Sequence, residues 1–587
     1  MKKEYYDLLK QWCDRLIELQ IKDTGVKELD GGIMCPACSR IHGRCHDAVY
    51  PFMYMAHASG DEKYLNAAKA LFDWGDNVFC DDGSFYNDRQ STWNAITVFS
   101  SVALCDTLDK HGSILDQAAK KKWEDRLALM GEWLYENLTM EFGAVINYPA
   151  ACSAAMALLG TYFDNEAYKK RARELAHICM DYLTENGLLR GEGKPIDAVT
   201  PRGCYPIDIG YNAEESMPSL VIYAFVMEDH EVLTKVKDAF YKLLSFMLPD
   251  GAWDNSFGTR NSKWTYWGSR TSDGCQGAFA LLGKDDPVFA EAALRNFRLY
   301  KECTHDGLLH GGPHYHEHGE PPCVHHTFCH AKVLAMALDA GAEGTERVSI
   351  PSDNPPPLVY YKEADTYKIA MGDFRGTITG YDFPYVVGGQ ASGGTLTMLW
   401  HKDAGPLIAS SMTDYSIVEA VNMQLSLKKA QHRSLTPRVA YEWEGKQYAQ
   451  CYDYNSFISA KEEDKCVTVS VDACLVDIEQ KVSAFATFCH IEYHFDNNSV
   501  QIKGKVSGDK KSIACFVLPV ISKHRESCAL EGNTAVIQKG EADVIITASG
   551  FDGEPKPIFC LSGGFEAREF TVSPNENGEF SVTITVQ

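Results

Sequence analysis

The stretch Pro149–Leu189, PAACSAAMALLGTYFDNEAYKKRARELAHICMDYLTENGLL, decides the fold. Up to Phe163 it is a helix rich in Ala, Ser and Gly, the composition of a helix crowded by neighbours on every side. A single turn residue, Asp164, leads into a second helix over 165–185, with Tyr168, Ala172, Leu175 and Cys179 at three- and four-residue spacing. Asn186-Gly187 then closes the pair, with Leu188 and Leu189 free to tuck inward.

The same unit recurs along the first 340 residues. Helical spacing marks twelve segments, at 3–20, 47–58, 61–74, 91–109, 113–138, 149–163, 165–185, 216–228, 230–248, 271–283, 286–303 and 324–341. The connections after the second, fourth, sixth, eighth and tenth segments are tiny: Ser59-Gly60, Lys110–Gly112, Asp164, Asp229 and Lys284-Asp285. The others are long, and several open alike, as DGSF at 82, NGLL at 186, DGAW at 250 and DGLL at 306. A period of roughly 45–65 residues is the mark of a repeat architecture. Six helix pairs close an (α/α)6 toroid, with the small-residue, even-numbered helices inside. From about Val348 a Pro-rich linker, PSDNPPP, gives way to strand-like alternation such as KCVTVSVDACLVDI and FATFCHIEYHF. The reading is therefore multidomain α+β, with a toroid over 1–345 and an antiparallel β-sandwich over 346–587.

The formal net charge of −24 argues against nucleic acid and anionic membrane as partners, since both demand clustered Lys and Arg. No segment approaches membrane-spanning length. Twenty cysteines behind a charged N-terminus, MKKEYYDLLK, predict reduced thiols and a cytoplasmic enzyme. A homo-oligomer is compatible with this composition.

In a toroid every long loop ends at the N-terminus of an inner helix, so six loops converge on one mouth. They carry Arg44, His46 and Asp47; Asp88, Arg89, Gln90 and Asn94; Asn147 and Tyr148; Asp208, Tyr211, Asn212, Glu214 and Glu215; Arg260, Asn261, Trp264, Trp267, Arg270 and Asp273; and His310, His314, His316, His318, His325 and His326. Six helix N-termini aimed inward favour a bound anion. Trp, Tyr, Arg, Asn and several carboxylates together suit a carbohydrate: stacking for sugar faces, forked donors for a carboxylate, acids for glycosidic chemistry.

Two motifs invite a metal. C-x2-C-x3-H-x2-C, through Cys35, Cys38, His42 and Cys45, has the spacing of four soft ligands. CPAC alone also reads as a dithiol, and packing of a long loop by buried thiols is the favoured reading. If HGGPHYHEH is extended, His314, His316 and His318 share one face. No metal and no cofactor is assigned.

A helical toroid followed by a β-sandwich resembles the heparinase II/III-like superfamily of uronate-active enzymes. The patches CPACSRIHGRCHDAVYP, IDIGYNAEESMP and CVHHTFCHAK resemble more closely a gut-bacterial β-glucuronidase family, glycoside hydrolase family 154. Superfamily lyases carry an Asn-His pair and a Gly-Tyr motif; here the matching patches are Asn147-Tyr148 and Gly210-Tyr211, without the His. The β-domain run that often binds metal is replaced by GQASG at 389. The resemblance implies removal of a terminal uronic acid from a saccharide or glucuronide by hydrolysis. Glu214 or Glu215 with Asp47, or with Asp88 as substitute, would supply acid and base. Arg44, Arg89, Arg260 or Arg270 would take the substrate carboxylate, with Trp264 or Trp267 stacked on the sugar. His46, Asn147, Tyr148, Asn212, His314 and His316 complete the expected binding set. The alternative is an eliminative uronate lyase. In that reading Tyr211 abstracts the C5 proton, a His assists, and Asn147 with an Arg neutralises the carboxylate.

Overall fold

A computed structural model describes residues 2–89, 91–141, 145–342, 347–386, 388–413 and 433–587. Among these residues, twelve principal helices alternate between an outer and an inner layer. The outer six are α1 (Lys2–Glu18), α3 (Glu62–Trp74), α5 (Gln117–Asn137), α7 (Glu166–Met180), α9 (His230–Leu243) and α11 (Pro287–Glu302). The inner six are α2 (Val49–Ser59), α4 (Thr97–Asp106), α6 (Asn147–Tyr162), α8 (Met217–Val226), α10 (Gln276–Leu282) and α12 (Val324–Asp339). Each inner helix packs on the next, and α12 returns to α2, so the ring is closed. Residues of α4 are buried on every face, whereas α9 buries only Val232, Val236, Ala239, Phe240 and Leu243. Small side chains let the inner helices approach one another; striped helices then shield them from water.

One device repeats around the ring. Gly83, Gly187, Gly251 and Gly307 all have left-handed backbone, at φ +89, +78, +95 and +76°. They turn short hairpins, bridging Phe79 to Phe85, Leu183 to Leu189, Met247 to Trp253 and His305 to Leu308. A side chain at Gly83 would collide with the α5 backbone, and one at Gly307 with Arg15 of α1. Glycine is thus required twice over, for its φ and for the close approach to an outer helix.

Among its described residues the β-domain holds three antiparallel sheets. Five strands run in sequence from Leu358–Tyr361 to Gly405–Ala409. Eight strands form the outer sheet, centred on Thr487–Asp496, Ser499–Gly508 and Glu579–Val586. A third sheet is built around Cys515–Ile521 and Phe565–Val572. Strands of the outer sheet alternate buried and exposed residues, but Thr395–His401 is buried throughout. That strand is sandwiched: Met398 and Trp400 join the helical core, while Leu396 and Leu399 join the sandwich core. Trp400 Nε1 donates to Asp250 at 3.2 Å, and Lys368 pairs with Asp254 at 2.9 Å, so the sheet is locked onto the long loops.

Candidate active site

The loops before α2, α6, α8, α10 and α12 meet at one end of the ring. Asp208 sets the local backbone there: its buried carboxylate accepts from the Tyr211 N–H at 2.9 Å and the Arg260 N–H at 2.8 Å. Tyr211 is thereby fixed ahead of a wide π-type turn, Asn212–Ser216, that opens α8. Its hydroxyl lies 2.8 Å from Thr271 Oγ1 and accepts from Lys263 Nζ at 3.3 Å. The Arg260 guanidinium covers the ring face at 3.9 Å and pairs with the buried Glu192 at 3.3 Å. Burial raises the Tyr211 pKa well above that of a free phenol; Arg260 opposes this, and Glu215 adds to it. Burial likewise pushes Glu192 up to about 7, against the pull of Arg260.

Around this tyrosine stand Tyr148, whose hydroxyl accepts from Trp93 Nε1 at 2.9 Å, and Asn147 at the first position of α6. Asn147 is buried, and its side-chain oxygen has no hydrogen-bond partner among the described residues. His325, in the first turn of α12, is buried with an unpartnered Nε2. Burial, then the charge of Arg44, drives its pKa well below the usual histidine value, with Lys263 contributing. The site therefore holds a neutral imidazole and a neutral phenol beside fixed cations.

Beneath this layer lies a charge cluster. Arg44 donates to Asp47 at 2.8 Å, to Asp273 at 2.5 Å and to the Thr271 carbonyl at 3.1 Å. Lys332, buried on α12, reaches Asp273 at 2.6 Å and Asp47 at 3.3 Å. Glu215 accepts from the Asp273 N–H at 2.9 Å. Burial, then the Asp273 carboxylate, pushes Glu215 up to about 8. Burial also works against ionised Asp47, but Lys332 and Arg44 outweigh it and its pKa falls.

Several expected site residues are placed elsewhere or otherwise employed. Asp47 does not face the mouth as a free acid; it is sealed between Arg44, Lys332 and Ser100. Glu214 is fully buried and holds the fifth loop by accepting from the Ser269 N–H and the Ser272 hydroxyl. A side chain at Gly268 would collide with that carboxylate. His46 is packed against Phe72 and Phe85, and burial, then Arg126, pushes it down to about 3. The Asn212 amide ties both backbone groups of Leu189. Trp264 is buried and donates to the Trp253 carbonyl, so it offers no face to a sugar. Arg270 donates to the Leu561 carbonyl in the β-domain. His314 accepts from the Glu566 N–H, and His316 stacks on His305 at 4.2 Å. Tyr315–His318 is a helical turn, so His314, His316 and His318 do not share a face. Arg89 is exposed near Glu28 at 3.9 Å, and Gln90 lies outside the described residues. The first loop brings Cys35, Cys38 and His42 together with Cys323, while Cys45 stays in the core.

Reasoning from sequence missed Lys263, Thr271, Trp93 and Glu192, and it named His325 without choosing it. Lys263 had one available signal: a cation in a long aromatic loop with no acid at helical spacing to pair with it.

The class follows from fold and comparison together. A chondroitin AC lyase from Streptomyces coelicolor A3, solved with chondroitin sulphate, shares the architecture at a TM-score of 0.53 and 12% identity, over 99% of this chain and 82% of that one. A heparinase III superposes at 0.52 and 12%, over 99% and 84%. The fold is thus the toroid-plus-sandwich architecture of these two structures. Residues 9–353 match the ulvan lyase N-terminal domain, and residues 358–587 match the ulvan lyase C-terminal domain. A broad-specificity ulvan lyase from Formosa agariphila is 39% identical over 531 residues, covering 89% of this chain and 83% of that protein. The chain belongs to the ulvan lyase family. This overturns the hydrolase and β-glucuronidase reading in favour of the eliminative alternative; none of these relatives is a β-glucuronidase. The paired-carboxylate mechanism falls with it.

Proposed function

We propose that this chain is a polysaccharide lyase that cleaves ulvan, or a closely related uronate-containing acidic polysaccharide, by β-elimination. One observation carries the reading: the Tyr211 hydroxyl sits between the Thr271 hydroxyl and the Lys263 ammonium under the Arg260 guanidinium, at the mouth of the toroid. Family membership supports it, and the relative's printed activity supplies the substrate class.

Elimination breaks the C5–H and C4–O4 bonds, forms C4=C5 and moves one proton from carbon to the leaving oxygen. The two titrating groups have environments that separate their roles. His325, kept neutral with a free Nε2, takes the C5 proton. Tyr211, kept protonated by burial, gives its proton to O4. Asn147, with Arg260 and Lys263, faces the uronate carboxylate and stabilises the charge that develops on it. These cations attract a polyanion despite the acidic chain as a whole. Residues 1–345 form the catalytic unit in this reading, with 346–587 bracing its loops. The cytoplasm remains the proposed compartment, on the strength of twenty free thiols.

The test is to digest ulvan and follow the ultraviolet absorbance of an unsaturated uronate alongside new reducing ends. The two should rise together. Reducing ends without absorbance would overturn the reading.

A further inference from the structure

The first loop and the last inner helix meet in a cluster that the elimination chemistry does not use. Cys35, Cys38, His42 and Cys323 each present one ligand atom, all within 4.8 Å of one another. The spacing motif pointed to Cys45 as the fourth member; folding replaces it with a residue 288 positions from Cys35. Cys35 Sγ lies 3.7 Å from Cys323 Sγ, and Cys323 Sγ lies 3.7 Å from His42 Nε2.

These lengths discriminate between the chemistries open to three thiols and an imidazole. A disulfide needs sulfurs ~2.05 Å apart, so no pair here is bonded. Tetrahedral zinc, with Zn–S ~2.3 Å and Zn–N ~2.0 Å, requires S···S edges of ~3.8 Å and S···N edges of ~3.6 Å. The observed separations fall on those edges. The backbone also bends to deliver the ligands. Ser39 is left-handed at φ +52°, and the Cys35 N–H donates to Arg40 O at 2.9 Å, folding Cys38 back towards Cys35. Cys323 occupies the N-cap of α12, where the helix dipole favours a thiolate.

We propose that Cys35, Cys38, His42 and Cys323 bind a structural zinc ion that staples the seam of the toroid. The seam is where ring closure is decided: the loop before α2 and the start of α12 belong to the first and last inner helices. Arg44 lies two residues beyond one ligand and His325 two residues beyond another, and the His42 ring meets the His325 ring edge-on at 5.8 Å. With four protein ligands the ion has no open position for substrate, so its role is to hold fold and mouth, not to act on the sugar.

The experiment is metal analysis of the full chain purified under reducing conditions without chelator, combined with three variants. The wild type should carry about one zinc per chain. Cys38→Ser, at the partly exposed ligand, and Cys323→Ser should each retain a small fraction of that and melt at lower temperature. Cys45→Ala, outside the cluster, should keep its zinc. Should the serine variants fail to fold, apo wild type titrated with cobalt(II) should develop thiolate-to-cobalt charge-transfer absorption that saturates at one ion per chain. A wild type that holds no zinc and binds no cobalt overturns the proposal. So does zinc that survives Cys323→Ser but is lost in Cys45→Ala.

Discussion

Arg44 holds Asp47 through Nη2 at 2.8 Å, and the same nitrogen reaches Asp273 at 2.5 Å. With Lys332 and Glu215, these form a group of three carboxyls and two cations under the mouth. Charge balances when one carboxyl carries a proton, and Glu215 is the one whose surroundings favour it. Asp47→Ala strips a partner from two buried cations. Such a loss costs about 3–5 kcal/mol. The expected result is a lowered denaturation midpoint with unchanged slope, read by chemical unfolding.

Glu215 makes stability depend on pH. Its folded pKa is about 8, above an unfolded value of about 4.3. The folded state therefore binds more protons across that interval, so this contribution is full at the acid end and is lost as pH rises towards 8. Glu215→Gln should flatten the melting temperature between those limits. A fall in melting temperature that is as steep in the variant as in the wild type would contradict the assignment.

Lys263 donates to the Tyr211 hydroxyl and belongs to the positive mouth. Lys263→Gln should lower kcat/KM by roughly tenfold, equivalent to about 1.4 kcal/mol. It should also make the salt dependence of KM shallower, because one screened attraction is gone. Steady-state kinetics at two ionic strengths decide this.

The pH profile of kcat/KM follows from the two neutral groups. His325 is held below, and Tyr211 above, its ordinary value. The rate should stay level from about pH 6.5 to about pH 10, with the acid limb below and the alkaline limb above that span. His325→Gln should cost at least about a hundredfold.

Much of the fold could be read from residues. Short connections such as Asp164 and Asp229, against long ones opening on Asp-Gly or Asn-Gly, encode the helix pairs directly, because tight turns and left-handed glycines are local. Strands such as Cys466–Cys474 were legible because one face is wet. CFVLPVI at Cys515–Ile521 was not, since a strand buried almost throughout shows no alternation. The site was legible in part. The loop argument named Tyr211, Arg260, Asn147 and Tyr148, which the structure brings to the candidate site, whereas Trp264 is taken up by the Trp253 carbonyl of its own loop, and Arg270 and His314 by the β-domain. Sequence shows which loop a side chain rides on; it does not show that a β-domain will pack over half of that loop. The Cys323 ligand was invisible for a related reason: nothing local joins it to CPAC.

The most direct measurement compares single-turnover rates on ulvan for wild type, Tyr211→Phe and Glu215→Gln, following unsaturated uronate in the ultraviolet. Single turnover keeps slow product release from masking a chemical defect. The elimination account predicts that Tyr211→Phe loses at least about a hundredfold while Glu215→Gln stays within about tenfold of wild type. An active Tyr211→Phe beside a dead Glu215→Gln would contradict it.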